Sequence, residues 1–240
     1  MKKLFKNFGN RSKKPSPMEA IAAEELRQRK QLSQKEIEQR MARIEHDFRV
    51  AFAMLKGHTG TVSFFGTASR LPEDNKYYMM ARELASRVVD ELGLTVVSGG
   101  GPGIMEAANR GAYDAKGDSV GMAIQLPREQ QTNHYVTRSA DFYYFFSRKM
   151  ALTFTARAYV YFPGGFGTMD ELFEILNLQK TGKIPKLPVI LIGKSFWQPL
   201  HHYMENFLYA NGMINKSDLE AYHITDDLDE ALAIIAGKRR

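Results

Sequence analysis

The chain has 240 residues, enough for one α/β domain of ordinary size with an additional N-terminal segment. It contains no Cys, which excludes disulfides, thiolate nucleophiles and Cys-ligated metals, and it has no apolar run of membrane-spanning length, so we expect a cytoplasmic protein without membrane contacts. The net charge of +6 lies in the first 50 residues, which carry 13 Lys and Arg against 7 Asp and Glu, whereas the rest carries 20 of each. We therefore expect no nucleic-acid surface on the globular part.

The first 56 residues differ in composition from the rest. Residues 1–17 are basic and contain two prolines, which predicts a flexible tail; a weak contact of this tail with a membrane surface or RNA is the less favoured alternative. Residues 18–56 are rich in Glu, Gln, Arg and Ala, which predicts a helical extension. Apolar residues in its second half have a heptad-like spacing: Ile37, Met41, Ile44, Phe48, Ala51 and Leu55. Such a seam packs on the same chain's core or on another subunit, and we expect a homo-oligomer of two or more copies.

Residues 57–240 are predicted to form one domain. Its first strand, Thr61–Phe65, ends in Gly66 and is followed by Ser69. Glycine and small hydroxyl residues after a first strand are typical of the first nucleotide-contacting loop of a doubly wound sheet. A helix at 75–92 then returns the chain.

A second glycine loop follows the second predicted strand. This strand, at 94–97, leads into Ser98–Gly103, which contains four glycines and precedes a helix at 104–115. Glycines between a strand and a helix allow an anion to approach the backbone closely. Their spacing matches neither the dinucleotide fingerprint nor a Walker A loop, which disfavours a redox cofactor and a phosphoryl-transfer site.

The third predicted strand, at 119–126, continues into a polar stretch at 128–135. Substrate contacts tend to lie in such excursions after a strand. The following segment, 140–146, is rich in aromatic residues, which either stack on a base or, more commonly, pack in the core. Ser147 is then predicted to open a helix that contains Arg148 and Lys149.

Strands alternate with helices through the rest of the domain, without hairpin signals. The later predicted elements are a strand at 187–192, a helix at 196–211, a strand at 221–225 and a closing helix at 226–235. This order predicts an α/β fold: a Rossmann-like, doubly wound parallel sheet with helices on both faces, preceded by the N-terminal helical extension.

The stretch Tyr159–Glu171 joins a strand, a glycine turn and a helix N-terminus. Its apolar run stops at Pro163, and the glycine-rich turn then leads into residues with helical periodicity. Such a junction presents unpaired N–H groups and the positive end of the helix dipole, for which phosphate is the usual ligand. Glu171 follows about one turn into the helix, where its charge opposes phosphate binding. This carboxylate therefore indicates chemistry rather than binding alone.

Three motifs together resemble the Lonely Guy (LOG) family of cytokinin riboside 5′-monophosphate phosphoribohydrolases. They are Ser98–Gly111 (SGGGPGIMEAANRG), the Arg148–Lys149 pair and Pro163–Glu171 (PGGFGTMDE). The resemblance spans about residues 61–235, and the N-terminal extension resembles that of longer members, which assemble beyond the dimer. Members are often labelled lysine decarboxylases, but no Lys here lies in an evident pyridoxal phosphate context.

The resemblance implies hydrolysis of the N-glycosidic bond of a nucleoside 5′-monophosphate, AMP or an N6-substituted relative, to the free base and ribose 5-phosphate. It makes Arg148 and Glu171 the catalytic pair and implies no cofactor. The implied phosphate cradle consists of Gly164, Gly165, Gly167 and Thr168. The complete set of candidate substrate-binding residues is Gly66, Ser69, Gly100, Gly101, Gly103, Glu106, Lys149, Gly164, Gly165, Gly167 and Thr168.

Each candidate role has an alternative. Glu171 either stabilises positive charge on the sugar and activates water, or only complements the first helical turn. Arg148, at the predicted start of a helix, is opposed by the dipole, which indicates a specific partner: it either orients Glu171 or contacts the ribose or phosphate. The alternative is a surface ion pair with Asp141 or another acid. Glu106 either contacts ribose hydroxyls or caps its helix, and Lys149 neutralises phosphate.

Two other classes of function remain open from the sequence. One is a non-catalytic nucleotide-binding or carrier protein with the same cradle, since a fold does not determine a function. The other is an interaction protein that uses the basic N-terminal helix. The six His residues lack metal-ligand spacing, so no metal is expected.

Overall fold

A computed structural model describes residues 33–57, 60–125 and 132–238. The strands are β1 (Thr61–Phe65), β2 (Thr95–Ser98), β3 (Ser119–Ile124), β4 (Arg138–Phe142), β5 (Ala156–Tyr161), β6 (Val189–Ile192) and β7 (His223–Thr225). The helices are α1 (Gln34–Leu55), α2 (Lys76–Leu92), α3 (Ile104–Asp114), α4 (Phe145–Ala151), α5 (Phe166–Lys180), α6 (Lys194–Tyr203), α7 (Lys216–Leu219) and α8 (Leu228–Ile235). The predicted tail, the extension up to residue 32, the end of the third predicted strand at residue 126 and residues 128–131 of the polar excursion lie outside the described residues.

The strands form one parallel sheet in the order β4-β3-β2-β1-β5-β6-β7. This confirms the predicted Rossmann-like, doubly wound fold. The chain builds the sheet outward from β1, first towards β4 and then, from β5, in the opposite direction. The order thus reverses between β1 and β5, where open α/β sheets have a crevice at the carboxyl ends of their strands.

Helices cover both faces of the sheet, which explains why its central strands are apolar throughout. Phe64 of β1 packs in the core beneath α2, α3 and α8, whereas Phe65 packs in the core beneath α1, α4, α5 and α6. Adjacent residues of a strand point to opposite faces, so both must be apolar when both faces are buried. The glycine loops extend from the ends of this rigid sheet.

Three elements differ from the sequence-based prediction. The edge strand β4 has no clear strand pattern because only Ala140 and Phe142 among its residues are buried. The helix after it, α4, begins at Phe145 rather than at Ser147. The helix predicted at 196–211 consists of α6 followed by a π-helix, Met204–Tyr209.

The chain divides into two compact units, residues 1–41 and residues 42–240. Of the first unit, the structure describes residues 33–41, which include the start of α1. In the second unit, Ala51 and Leu55 of the apolar seam are buried. The domain boundaries after residues 17 and 56 stay predictions. Within the described ranges, no helix is both long enough and apolar enough to cross a bilayer.

Candidate active site

Three loops meet where the strand order reverses, and Thr67 connects them. It lies in the loop after β1, and its backbone N–H donates to Pro163 O at 3.0 Å in the loop after β5. Its carbonyl oxygen accepts from the Ile104 N–H at 3.1 Å, at the start of α3. Gly66 allows this close approach, since a Cβ there would lie 2.7 Å from Ile104 Cβ. The predicted loops therefore form one structure at the carboxyl ends of β1, β2 and β5.

The glycine loop after β2 is held by a buried polar network. Ser98 Oγ donates to Asn109 Oδ1 at 2.6 Å, and Asn133 Nδ2 lies 3.0 Å from the carbonyl oxygens of both Gly100 and Gly101. Gly100 has φ +71°, a conformation that residues with a Cβ rarely adopt. Because these buried groups are paired within the protein, the loop keeps its shape without a ligand.

Gly103 is required for close packing and does not leave open space beside the loop. Its φ is +72°, and a Cβ there would lie 2.4 Å from the carbonyl oxygens of Thr67 and Ser69. Ser69 itself is exposed, and its backbone N–H donates to Thr67 Oγ1 at 3.1 Å. Gly66 and Gly103 thus bring the loop after β1 onto the start of α3, and neither offers free space to a ligand.

A cavity of about 180 Å³ opens beside the second glycine loop. Apolar groups and backbone form most of its wall, and Arg148 supplies the charge. The lining residues are Ala68, Gly99, Gly100, Gly101, Met105, Ala123, Ile124, Thr132, Phe145 and Arg148. An apolar pocket with one fixed cation suits a planar ligand that carries a polar or anionic group.

The predicted phosphate cradle begins α5 and contains two kinds of glycine. Gly165 precedes the helix and provides no side-chain cap, so the first N–H groups lack a carbonyl one turn back. A Cβ on Gly164 would lie 2.1 Å from Oγ1 of Thr168, which is itself buried. A Cβ on Gly165 or Gly167 would meet nothing within 4 Å. Gly164 therefore packs the turn, while Gly165 and Gly167 leave room beside the free N–H groups.

Arg148 lies in the last turn of α4, which corrects the expectation that it begins a helix. At this end of the helix the dipole does not oppose the positive charge of Arg148. Packing and hydrogen bonding fix the position of the side chain. Nε donates to the carbonyl oxygen of Met122 at 2.8 Å, and Nη2 lies 3.9 Å from Glu171 Oε1. Gly99 makes room for the guanidinium, because a Cβ there would lie 2.2 Å from Nη2. Glu171, not Asp141, is the acidic partner of this side chain.

Glu171 lies in the second turn of α5, one turn beyond the position that a simple dipole interaction favours. Its side chain is 15% exposed, and burial raises its pKa from 4.5 to about 7, while Arg148 acts in the opposite direction. Asp170 raises this pKa further and Lys149 lowers it. Tyr161 donates its hydroxyl to the Glu171 carbonyl oxygen at 3.1 Å, which fixes the backbone. A carboxyl group with this pKa exchanges protons near neutral pH.

Lys149 is already engaged by two carboxylates. Its Nζ lies 3.0 Å from Asp170 Oδ2 and 3.1 Å from Glu174 Oε2, on the outer side of α5. Glu106 accepts from the hydroxyl of Tyr78 on α2 at 3.2 Å. The structure therefore brings Arg148 and Glu171 together with the glycine loops, but it gives Lys149 and Glu106 protein partners.

Several site residues escaped the sequence-based selection. Gly99 was visible in the glycine run, but only the structure shows that it faces Arg148. Met105 and Phe145 carry no chemical signal, because apolar residues on helices usually pack in a core. Asn109 and Asn133 support the glycine loop through hydrogen bonds. Among the described residues, no group of three or more His, Cys, Asp and Glu is placed to hold a metal ion.

The chain is similar to proteins of known name. A family model described as "Possible lysine decarboxylase" matches residues 105–235, more than half of the chain. The cytokinin riboside 5′-monophosphate phosphoribohydrolase of Rhodococcoides fascians is 26% identical over 170 residues, covering 69% of this chain and 84% of that protein. The protein of the same name, LOG, from Oryza sativa subsp. japonica is 30% identical over 133 residues, or 54% of each chain.

Solved structures share the fold at low sequence identity. The X-ray structure of a structural genomics target has a TM-score of 0.55 at 24% identity, covering 74% of this chain and 99% of the other. The molybdenum cofactor binding protein from Rippkaea orientalis has a TM-score of 0.56 at 17% identity, covering 76% and 99%. At these identities the likeness extends to the fold alone.

Proposed function

The chain belongs to the LOG family, and on that premise we propose that it hydrolyses the N-glycosidic bond of a nucleoside 5′-monophosphate. The substrate would be AMP or an N6-substituted AMP such as a cytokinin riboside monophosphate, and the products the free base and ribose 5-phosphate. The observation that carries this proposal is the buried pair of Arg148 and Glu171, between the open start of α5 and the apolar cavity.

The geometry supports a binding mode in which three parts of the site bind the phosphate, the base and the ribose of the substrate. The N–H groups beside Gly165 and Gly167 bind the phosphate, because they are unpaired and at the positive end of a 15-residue helix. The base enters the apolar cavity beside Met105 and Phe145. The ribose then lies between them, and its C1′ faces Glu171.

The pKa of the Glu171 carboxyl group suits the proposed reaction. As the C1′–N bond breaks, positive charge develops on C1′ and the ring oxygen, and a carboxylate nearby stabilises it. The carboxylate also accepts a proton from the attacking water, whose hydroxyl adds to C1′, and a proton passes to the leaving base. The pKa of about 7 lets Glu171 accept and release a proton near neutral pH, and Arg148 orients it.

A screen of base release tests this proposal and also identifies the base. The protein is incubated with each common purine and pyrimidine nucleoside 5′-monophosphate and with N6-isopentenyl AMP, and free base is measured by chromatography. Glu171→Gln should abolish release, whereas Glu174→Gln, which removes the partly exposed carboxylate beside Lys149, should retain it. Base release that is equally slow with wild type and Glu171→Gln for every substrate would contradict the proposal.

The alternative of a non-catalytic carrier gives a different result in the same screen. A carrier binds a nucleotide tightly in calorimetry and releases no base. The alternative of an interaction protein is tested by removing residues 1–32, which leaves α1 with its buried Asp47, Ala51 and Leu55 in place. If the truncated protein keeps activity and assembly unchanged, the segment has a role apart from catalysis.

Exposed aromatic side chains beside the site support the proposed homo-oligomer. Phe166 at the start of α5 is 96% exposed, and Phe145 and Phe146 on α4 are 56% and 46% exposed. Large apolar side chains that are this exposed are frequent in association surfaces. Light scattering should show a dimer or larger assembly that Phe166→Ser weakens, and a monomeric wild type at all concentrations would contradict this assignment.

A further inference from the structure

Asp47 is a buried carboxylate that the proposed reaction does not use. It lies on α1, in the N-terminal extension and outside residues 105–235 that the family model matches. Its side chain belongs to the 42–240 unit and is only 2% exposed. Acidic side chains are almost never this buried unless their charge is compensated.

The partners of Asp47 are the groups that begin α4. Its two carboxylate oxygens accept from the backbone N–H of Tyr143, each at 3.2 Å, and Oδ2 also accepts from the N–H of Tyr144 at 3.1 Å. Ser147 Oγ lies 2.5 Å from the same Oδ2. Tyr144 is the N-cap residue of α4 and makes no side-chain cap of its own. A carboxylate from a distant helix therefore binds two N–H groups just before α4 and the Ser147 hydroxyl in its first turn.

A second contact joins α1 to the same segment. The guanidinium of Arg43 lies 4.4 Å from the centre of the Tyr143 ring, a cation–π geometry. Arg43 and Asp47 are four residues apart and therefore lie on one face of α1. The extension thus contacts the start of α4 with both an anion and a cation.

We propose that Asp47 is a positioning residue for Arg148: by fixing the start of α4, it sets the place of the guanidinium beside Glu171. Ser147, which contacts Asp47, directly precedes Arg148 in the sequence. The helix has only seven residues, so its own hydrogen bonds hold it weakly, and an external anchor decides its orientation. This inference rests on the proposed function for its catalytic consequence but not for its structural one.

The test compares Asp47→Ala and Asp47→Asn with Glu45→Gln. Glu45 is on the same helix but 63% exposed and paired with Arg49, so its replacement controls for a change on α1. Asp47→Asn keeps one acceptor oxygen and the side-chain shape while losing the charge, so it should have a smaller effect than Asp47→Ala. Circular dichroism shows whether each variant folds. If Asp47→Ala does not fold, the result with Asp47→Asn decides the test.

The first measurement is the pKa of Glu171, followed by NMR of the side-chain carboxyl carbon and assigned by its loss in Glu171→Gln. The charged groups around this carboxyl are Arg148, Asp170, Lys149 and Glu174. Arg148 and Lys149, the two groups that lower this pKa, are both on α4, whose start contacts Asp47, and Arg148 lowers it more. Their displacement should therefore raise the pKa of Glu171 above its wild-type value. A purely structural role of Asp47 would lower stability and leave this pKa unchanged.

The second measurement is AMP hydrolysis. Misplacing a catalytic group by about 1 Å is expected to lower kcat about 10- to 100-fold, and because the phosphate cradle is intact, KM should change much less. A raised pKa of Glu171 in both Asp47 variants, with Glu45→Gln like wild type, supports the inference. An unchanged pKa overturns it, whatever the activity. Absence of hydrolysis by the wild type would refute the proposed function, while the NMR result would still decide the role of Asp47.

Discussion

Replacing Glu171 by Gln should make the protein more stable at alkaline pH while it abolishes activity. A carboxyl group that is buried and ionised destabilises the fold, and Gln has nearly the same shape without the charge. Glu171 is held in this environment by the hydroxyl of Tyr161 and by the packing of α5. The site therefore pays in stability for a proton-exchanging group at neutral pH.

The size of the effect follows from the pKa of Glu171, which burial raises from 4.5 to about 7. This difference corresponds to about 3 kcal/mol of unfolding free energy. The sign follows because the folded protein binds the proton more tightly than the unfolded chain. The contribution is present below about pH 4.5 and is lost as the pH rises through about 7. Relative to wild type, Glu171→Gln should therefore gain about 3 kcal/mol between pH 4.5 and pH 8.5.

Urea unfolding at several pH values measures this gain. Wild type and variant share all other titrating groups, so the difference between their free energies of unfolding isolates Glu171. Glu174→Gln is the matched control, because its carboxylate has an ammonium partner at 3.1 Å in Lys149 and should not give the same dependence. A difference between Glu171→Gln and wild type that stays constant from pH 4.5 to pH 8.5 would refute the reasoning.

Further predictions concern the loops and their partners. Gly164→Ala should lower the free energy of unfolding by about 1–3 kcal/mol, because its Cβ meets Oγ1 of Thr168, as measured by urea unfolding. Gly167→Ala should keep wild-type stability but weaken binding of ribose 5-phosphate in calorimetry, since its methyl group enters the open cradle; equal affinity would place the phosphate elsewhere. Lys149→Met should leave that affinity unchanged, because the ammonium is occupied by carboxylates; a large loss would restore its predicted role in phosphate binding. Asn133→Ala should cost about 1–3 kcal/mol, because the buried carbonyl of Gly101 loses this donor while that of Gly100 keeps the backbone N–H of residue 133, and unchanged unfolding free energy would contradict this.

Local sequence signals were sufficient for most of the fold. The strands β1, β3 and β5 are apolar runs that stop at glycine or polar residues, and each helix that covers them shows its own periodicity. The edge strand β4 was hidden because it needs apolar residues on one face only, and its Arg138 and Asp141 give no strand signal. The π-helix was hidden because its sequence is equally compatible with a continued α-helix.

The parts of the site that lie in short, continuous sequence motifs were predictable. The glycine loops and Glu171 follow from strand–turn–helix patterns, and the resemblance to a family added Arg148. The anchors of these groups were not predictable, because they are distant in sequence. Asp47 contacts Ser147 across 100 residues, and Asn133 contacts Gly100 across 33, which no periodicity reports. Sequence patterns indicate the proposed reacting groups, whereas three-dimensional packing determines how they are held.

The rate of adenine release from AMP at pH 7.5 by wild type and Glu171→Gln, with both proteins saturated with AMP, tests the central claim most directly. We predict that the wild type releases adenine and ribose 5-phosphate in equal amounts, and that Glu171→Gln binds AMP but releases adenine at least about 100-fold more slowly. Wild-type protein that binds AMP without releasing adenine, or a variant that releases it as fast as wild type, would contradict the assignment of Glu171 as the catalytic carboxylate for this substrate.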